Sequence, residues 1–86
     1  MFTICRFYGI SIRMFYADHR PPHLHALYDG QQAQIAIEPL ALLRGSLPPR
    51  ALALVMEWAI LRRAELIANW RKARGGEPLD GIEPIR

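Results

Sequence analysis

The amino-acid sequence predicts an α+β domain, with a small, mainly antiparallel sheet of about four strands within residues 3–44 and one long helix over about 48–73 packed against it. Two patterns carry the prediction. Much of residues 3–38 alternates apolar and polar side chains with the period of a strand, punctuated by Gly9, Pro21-Pro22 and Asp29-Gly30. Residues 50–73 instead repeat apolar side chains at helical spacing, and Gly75-Gly76 closes that pattern.

Thr3 to Tyr16 is rich in aromatic and β-branched residues and sets Ile10, Ile12, Met14 and Tyr16 on one face. We expect a short strand near 3–7 and a longer one near 9–16, with Gly9 marking a turn or bulge. Pro21 and Pro22 remove two backbone donors and enforce a loop. His23 to Tyr28 resumes the alternation, with His23, His25 and Leu27 on one side and Leu24, Ala26 and Tyr28 on the other. Asp29-Gly30 is a hairpin signal, so Gln31 to Glu38 is the return strand. Pro39 ends it, and Leu40 to Leu43 is either one more short strand or an irregular crossing.

Ser46 is expected to cap the helix, with Pro48 and Pro49 tolerated in its first turn. Leu52, Val55, Met56, Ala59, Ile60, Ile67 and Trp70 should face the sheet, while Leu54, Trp58 and Leu61 widen the apolar arc enough to suit a partner protein. The tail, 75–86, carries Leu79, Ile82 and Ile85 and reads as a last strand or a clasp.

The chain has 86 residues, enough for one domain over 1–86 but not for two cores. With 51% hydrophobic and 22% charged residues it has a globular composition. A core this thin gains from a partner surface, so self-association is among the expectations. The single cysteine, Cys5, excludes an intrachain disulfide, and with no signal peptide the expected compartment is the cytoplasm. No apolar run is long enough to span a bilayer. Eleven basic against eight acidic residues permit RNA or DNA contact without demanding it.

The chemistry concentrates in Asp18 to Gly30, which holds all three histidines. His23 and His25 lie two apart on a strand, so both imidazoles project from one face. With His19 and Asp18 they form a candidate site for a divalent metal; apart from that option no cofactor is expected. The same histidines suit acid–base catalysis of RNA cleavage, with Arg20 as phosphate contact. A third reading leaves them on a polar strand face, bonded to nearby backbone. Arg6, Arg13 and Arg20, interleaved with aromatics and joined by the 71–74 basic cluster, form a candidate nucleic-acid surface. The bland alternative is aromatics in the core and arginines at its edges. No P-loop, nucleophile elbow, dinucleotide fingerprint or zinc-finger spacing is present.

Thr3-Ile-Cys-Arg-Phe-Tyr-Gly-Ile10, Asp18-His-Arg-Pro-Pro-His-Leu-His-Ala26, and Leu47-Pro48 followed by Ala51-Leu52 and Glu57-Trp58-Ala59 resemble the small bacterial domain-of-unknown-function family numbered 4160. The likeness runs from Thr3 to Trp70 and includes Ile82-Glu83-Pro84. Leu24 stands where the family usually has phenylalanine, which leaves the histidines untouched. The resemblance implies membership of two-gene units of toxin–antitoxin type, with a cognate small protein encoded by the neighbouring gene, and some relatives carry a transcriptional-regulator label. It implies little chemistry.

Residues and resemblance together lead to a toxin-side component, ribonuclease-like if it is an enzyme. Against it stand a non-enzymatic regulator or antitoxin-like subunit holding its partner through Leu54, Trp58 and Leu61, and a metal-binding protein.

Overall fold

The computed structural model describes residues 2–16 and 18–85. Five strands precede two helices: β1 Phe2–Phe7, β2 Ile10–Met14, β3 His23–Tyr28, β4 Gln31–Ile37, β5 Leu40–Gly45, α1 Pro49–Leu61 and α2 Arg63–Arg74. Every strand pairs antiparallel with the next, so the sheet is a meander in chain order. The expected α+β class holds, with a fifth strand where Leu40–Leu43 had two readings.

Two hairpins fix the register. Tyr8-Gly9 and Asp29-Gly30 each place both residues at positive φ, 49° and 79° in the first, 48° and 79° in the second. This is the two-residue turn whose twist matches that of the flanking strands. The longer β2 expected to reach Tyr16 stops at Met14, and Tyr16 is exposed. In β1 the register slips between Thr3 and Cys5, a bulge that leaves Ile4 without a cross-strand partner. The Ile4 carbonyl accepts instead from the Ile82 amide at 2.8 Å. Gly45, at φ 74°, closes β5 so tightly that a Cβ there would lie 2.1 Å from the Gln32 carbonyl oxygen.

One sheet face carries Ile10, Ile12, Met14, Leu24, Ala26, Ile35 and Ile37, all buried, against Ala51, Val55, Trp58 and Ala59 of α1 and Leu66 of α2. Four corrections to the helical expectation follow. Pro48, not Ser46, occupies the N-cap position, and no side chain caps the helix. The single helix is two, broken at Arg62 (φ −111°, ψ 19°). Ile60 does not face the sheet but is exposed, while Leu52, Met56 and Ile67 are half-buried. Trp58, assigned to a partner surface, has no exposed area and packs on Phe7 with ring centroids 5.4 Å apart. The break has a physical reason: the buried stripe runs 51, 55, 58, then 66, 69, 73, and helical spacing puts Arg62 in the vacant slot. A cation cannot be buried there without a partner. The chain bends, and Arg62 reaches Glu65 at 3.3 Å.

The tail is a clasp, with Leu79 and Ile82 buried. Buried Asn69 donates from Nδ2 to the Asp80 carbonyl at 2.8 Å and accepts from the Asp80 amide at 3.0 Å. Trp58 Nε1–H donates to the Glu83 carbonyl at 2.7 Å. Asn69→Ala orphans both Asp80 backbone groups and is expected to cost about 2 kcal/mol in urea unfolding, with early protease cleavage in the tail. Stability unchanged within error would show the clasp to be held by Leu79 and Ile82 alone. Among the described residues no helix is long and apolar enough to cross a membrane.

Candidate metal centre

Pro21 and Pro22 keep the chain out of helical geometry and deliver His23 as the first residue of β3. Strand alternation then sets His23 and His25 on the same face, the one turned away from Leu24 and Ala26. Both rings are buried, at 5% and 7% exposure, so each polar atom needs a partner.

The preceding loop supplies it. Asp18 Oδ2 lies 3.0 Å from His23 Nε2 and 3.0 Å from His25 Nε2. Three contacts fix that carboxylate and the rings around it. The His19 amide donates to Asp18 Oδ1 at 2.8 Å, Arg74 Nη1 reaches across from α2 to donate to the Asp18 carbonyl at 2.7 Å, and His23 Nδ1–H donates to the Pro21 carbonyl at 2.8 Å. Phe15 sits edge-on to His25 at 4.4 Å, and Trp70 of α2 packs on His23 at 5.3 Å.

The Pro21 bond decides the electrostatics. It commits Nδ1 of His23 as donor, which leaves Nε2 a lone pair in the neutral ring, aimed at an anionic oxygen. A cation must lie between them, a proton or a metal. Burial alone would push the Asp18 carboxyl up, but the His25 hydrogen bond, the His19 amide and the nearby imidazoles outweigh it and hold the group below the usual carboxylate range. His25 Nδ1 is buried with no hydrogen-bond partner among the described residues.

One donor atom each from Asp18, His23 and His25 all lie within 4.8 Å of one another. Tetrahedral zinc with ligands at about 2.1 Å separates its donors by about 3.4 Å, so an ion bound here would require the two 3.0 Å Asp18–imidazole contacts to open slightly. The Pro21 carbonyl behind His23 is the outer-shell acceptor that metal-bound histidines ordinarily have. Two imidazoles and one carboxylate suit zinc, manganese or ferrous iron and leave coordination positions free. Beside the cluster opens a pocket of about 450 Å³, with His23 in its wall and Arg20, Gln34 and Arg44 around it.

The residues singled out from the sequence are thus partly gathered. Asp18, His23 and His25 converge; His19 is exposed and its ring is not in the converging set. Arg20 is exposed on the pocket rim. Arg13 stands directly opposite His25 across β2 and β3, whereas Arg6 lies on the far edge strand, β1. Leu61 is exposed, Leu54 half-buried and Trp58 in the core. Gln34 and Arg44 were missed. Gln34 was within reach, because a two-residue turn at Asp29-Gly30 pairs 28 with 31 and therefore 25 with 34, as observed. Arg44 pairs with Gln34 on β5 just before a bulge that no sequence pattern announces. Cys5 is buried in the core, and that burial pushes its thiol up, so it behaves as a small apolar side chain.

A five-stranded meander clasped by two helices, with an Asp-His-His cluster beside a basic pocket, defines a small α+β domain with a candidate metal centre. The chain belongs to the family described as domain of unknown function DUF4160, whose model matches residues 9–71 and so includes the whole cluster. No curated protein matches the chain, and no solved structure does.

Proposed function

We propose that this chain is the toxin component of a bacterial toxin–antitoxin-type module, working in the cytoplasm on RNA through a divalent metal held by Asp18, His23 and His25. The observation that carries the reading is the shared Asp18 Oδ2, 3.0 Å from both Nε2 atoms. A separate acid and base would flank a gap wide enough for a phosphate; here both nitrogens converge on one carboxylate oxygen, which gathers three potential donor atoms where a single cation could draw on them. When bound, such an ion lowers the pKa of water and supplies hydroxide at neutral pH. Arg20 and Arg44 on the pocket rim favour an anionic substrate, and a phosphodiester is the RNA group they would meet. Hydrolysis would add the hydroxide to phosphorus, break the bond to one ribose oxygen and return a proton to that oxygen.

A binding-only regulator or antitoxin-like subunit is the second reading, favoured by Ile60 and Leu61 at the end of α1 and Leu42 and Leu43 on edge strand β5, all exposed. The deciding experiment is inducible expression in a bacterial host, alone and with the neighbouring gene, together with metal analysis of untagged protein. Growth arrest relieved by the neighbour, with about one zinc, manganese or iron per chain, is the expected result. Metal-free protein unchanged in stability by added metal ends the metal reading, and absence of arrest moves the role to the binding subunit.

A further inference from the structure

A second pocket, of about 440 Å³, adjoins the metal-centre pocket and shares Arg20 with it. Its walls bring together Arg20 from the loop before β3 and Arg71 and Arg74 from the last turn of α2, with Glu38 the one acidic member. Its apolar lining comes from Pro22, Ile67 and Trp70. All three arginines are exposed, and 71 and 74 stand one turn apart on the same side of the helix. The sequence explains the cluster only as a basic last turn favourable to the helix dipole. Arg20, fifty residues away, owes nothing to that dipole.

We propose that this cleft is the strand-binding subsite for single-stranded RNA, in which Arg20, Arg71 and Arg74 hold successive backbone phosphates and lead the strand to the metal centre; it rests on the RNA reading above. Three observations favour it. Guanidinium groups fork onto phosphate oxygens in pairs of parallel hydrogen bonds, which suits a row of phosphates better than a point charge would. The apolar lining offers a surface for a base or ribose beside those phosphates. Arg20 lines both pockets and so sets them side by side, and Arg74, which donates to the Asp18 carbonyl at 2.7 Å, ties the wall of the cleft to the loop that carries a proposed metal ligand. An acidic peptide would use the arginines but gains nothing from a path toward the histidines.

The test is binding of a fluorescent twelve-residue oligouridylate to the full chain in EDTA, where no metal-dependent cleavage can occur. Wild-type binding should weaken with salt at a log–log slope of about −2, as three phosphate contacts on a single strand require. Arg71→Ala, which leaves the Arg74 to Asp18 contact in place, should weaken binding about tenfold and bring the slope to about −1.4. Glu38→Gln should tighten binding two- to threefold, a gain that misfolding cannot produce. Zinc binding should be unchanged in both variants. If wild type binds RNA and both variants match it, the cleft is not the subsite, although the RNA reading survives. If wild type fails to bind at 50 mM salt, the RNA reading falls and this inference with it. Tighter binding of an equally charged glutamate peptide than of the oligouridylate also overturns the proposal, in favour of a protein ligand.

Discussion

Replacing His23 with alanine is expected to abolish stoichiometric metal binding and growth arrest together while the chain stays folded. The substitution removes one of three donors. Losing even an outer-shell partner typically costs 10- to 100-fold in metal affinity, so losing a ligand should cost at least about 100-fold. The fold should survive, because the imidazole packs on Trp70 outside the cluster of apolar side chains that joins sheet to helices. A loss of about 1 to 2 kcal/mol is expected, within what a domain of this size tolerates. Asp18→Asn, which keeps the shape but removes the charge between the two rings, should have nearly the same effect on metal. His19→Ala should leave metal binding unchanged, since that ring is exposed and outside the converging set. Isothermal titration with zinc and urea unfolding of the same four proteins separate the possibilities. A His23→Ala protein that still binds one zinc as tightly as wild type removes the metal centre from the account, whatever happens to growth.

That prediction draws on the part of the site most legible in the sequence. An H-x-H pair on a strand fixes its own face, and two prolines before it fix where the strand begins. The position of Asp18 was not legible in the same way, because it lies in the loop before β3, seven positions from His25 along the chain, and only folding sets their distance at 3.0 Å. The second hairpin was readable from Asp-Gly, and the register of β3 on β4 follows from it by counting, whereas Gly9 by itself left the first as a turn or a bulge. The helices were harder for a definite reason. Their buried stripe includes Asn69, whose polarity is satisfied by the backbone of the tail, and it passes through Arg62, where the helix breaks. With polar residues at two core positions, a count of apolar residues alone drifts in phase. It then brings Ile60 inward and Trp58 outward, the reverse of what the structure holds.

Trp58→Ala is accordingly expected to destabilise the chain strongly, and a loss of partner binding in that variant would follow from the damaged core and not locate a partner surface. The indole has no exposed area, packs against Phe7, and donates to the Glu83 carbonyl at 2.7 Å, so one side chain joins α1 to β1 and to the clasp. Truncating a buried tryptophan costs about 3 to 5 kcal/mol through lost transfer energy and the cavity left behind. Removal of the Nε1–H also takes away the hydrogen bond that the Glu83 carbonyl accepts from it. Domains hold roughly 0.05 to 0.15 kcal/mol per residue, so a chain of this length has about 4 to 13 kcal/mol in all and loses much of it. Trp58→Phe keeps most of the ring contact and drops only the hydrogen bond, for an expected cost of about 1 to 2 kcal/mol. Urea unfolding followed by circular dichroism should therefore rank wild type, Trp58→Phe and Trp58→Ala in that order, with the alanine variant about 3 to 5 kcal/mol below wild type. An alanine variant within 1 kcal/mol of wild type would show that Trp58 is not the joint between helix, sheet and tail. Leu61→Ala provides the contrast: its side chain is 67% exposed, so the change should leave stability within about 0.5 kcal/mol of wild type. A weaker complex with the neighbour's product in that variant alone would then report on the partner surface.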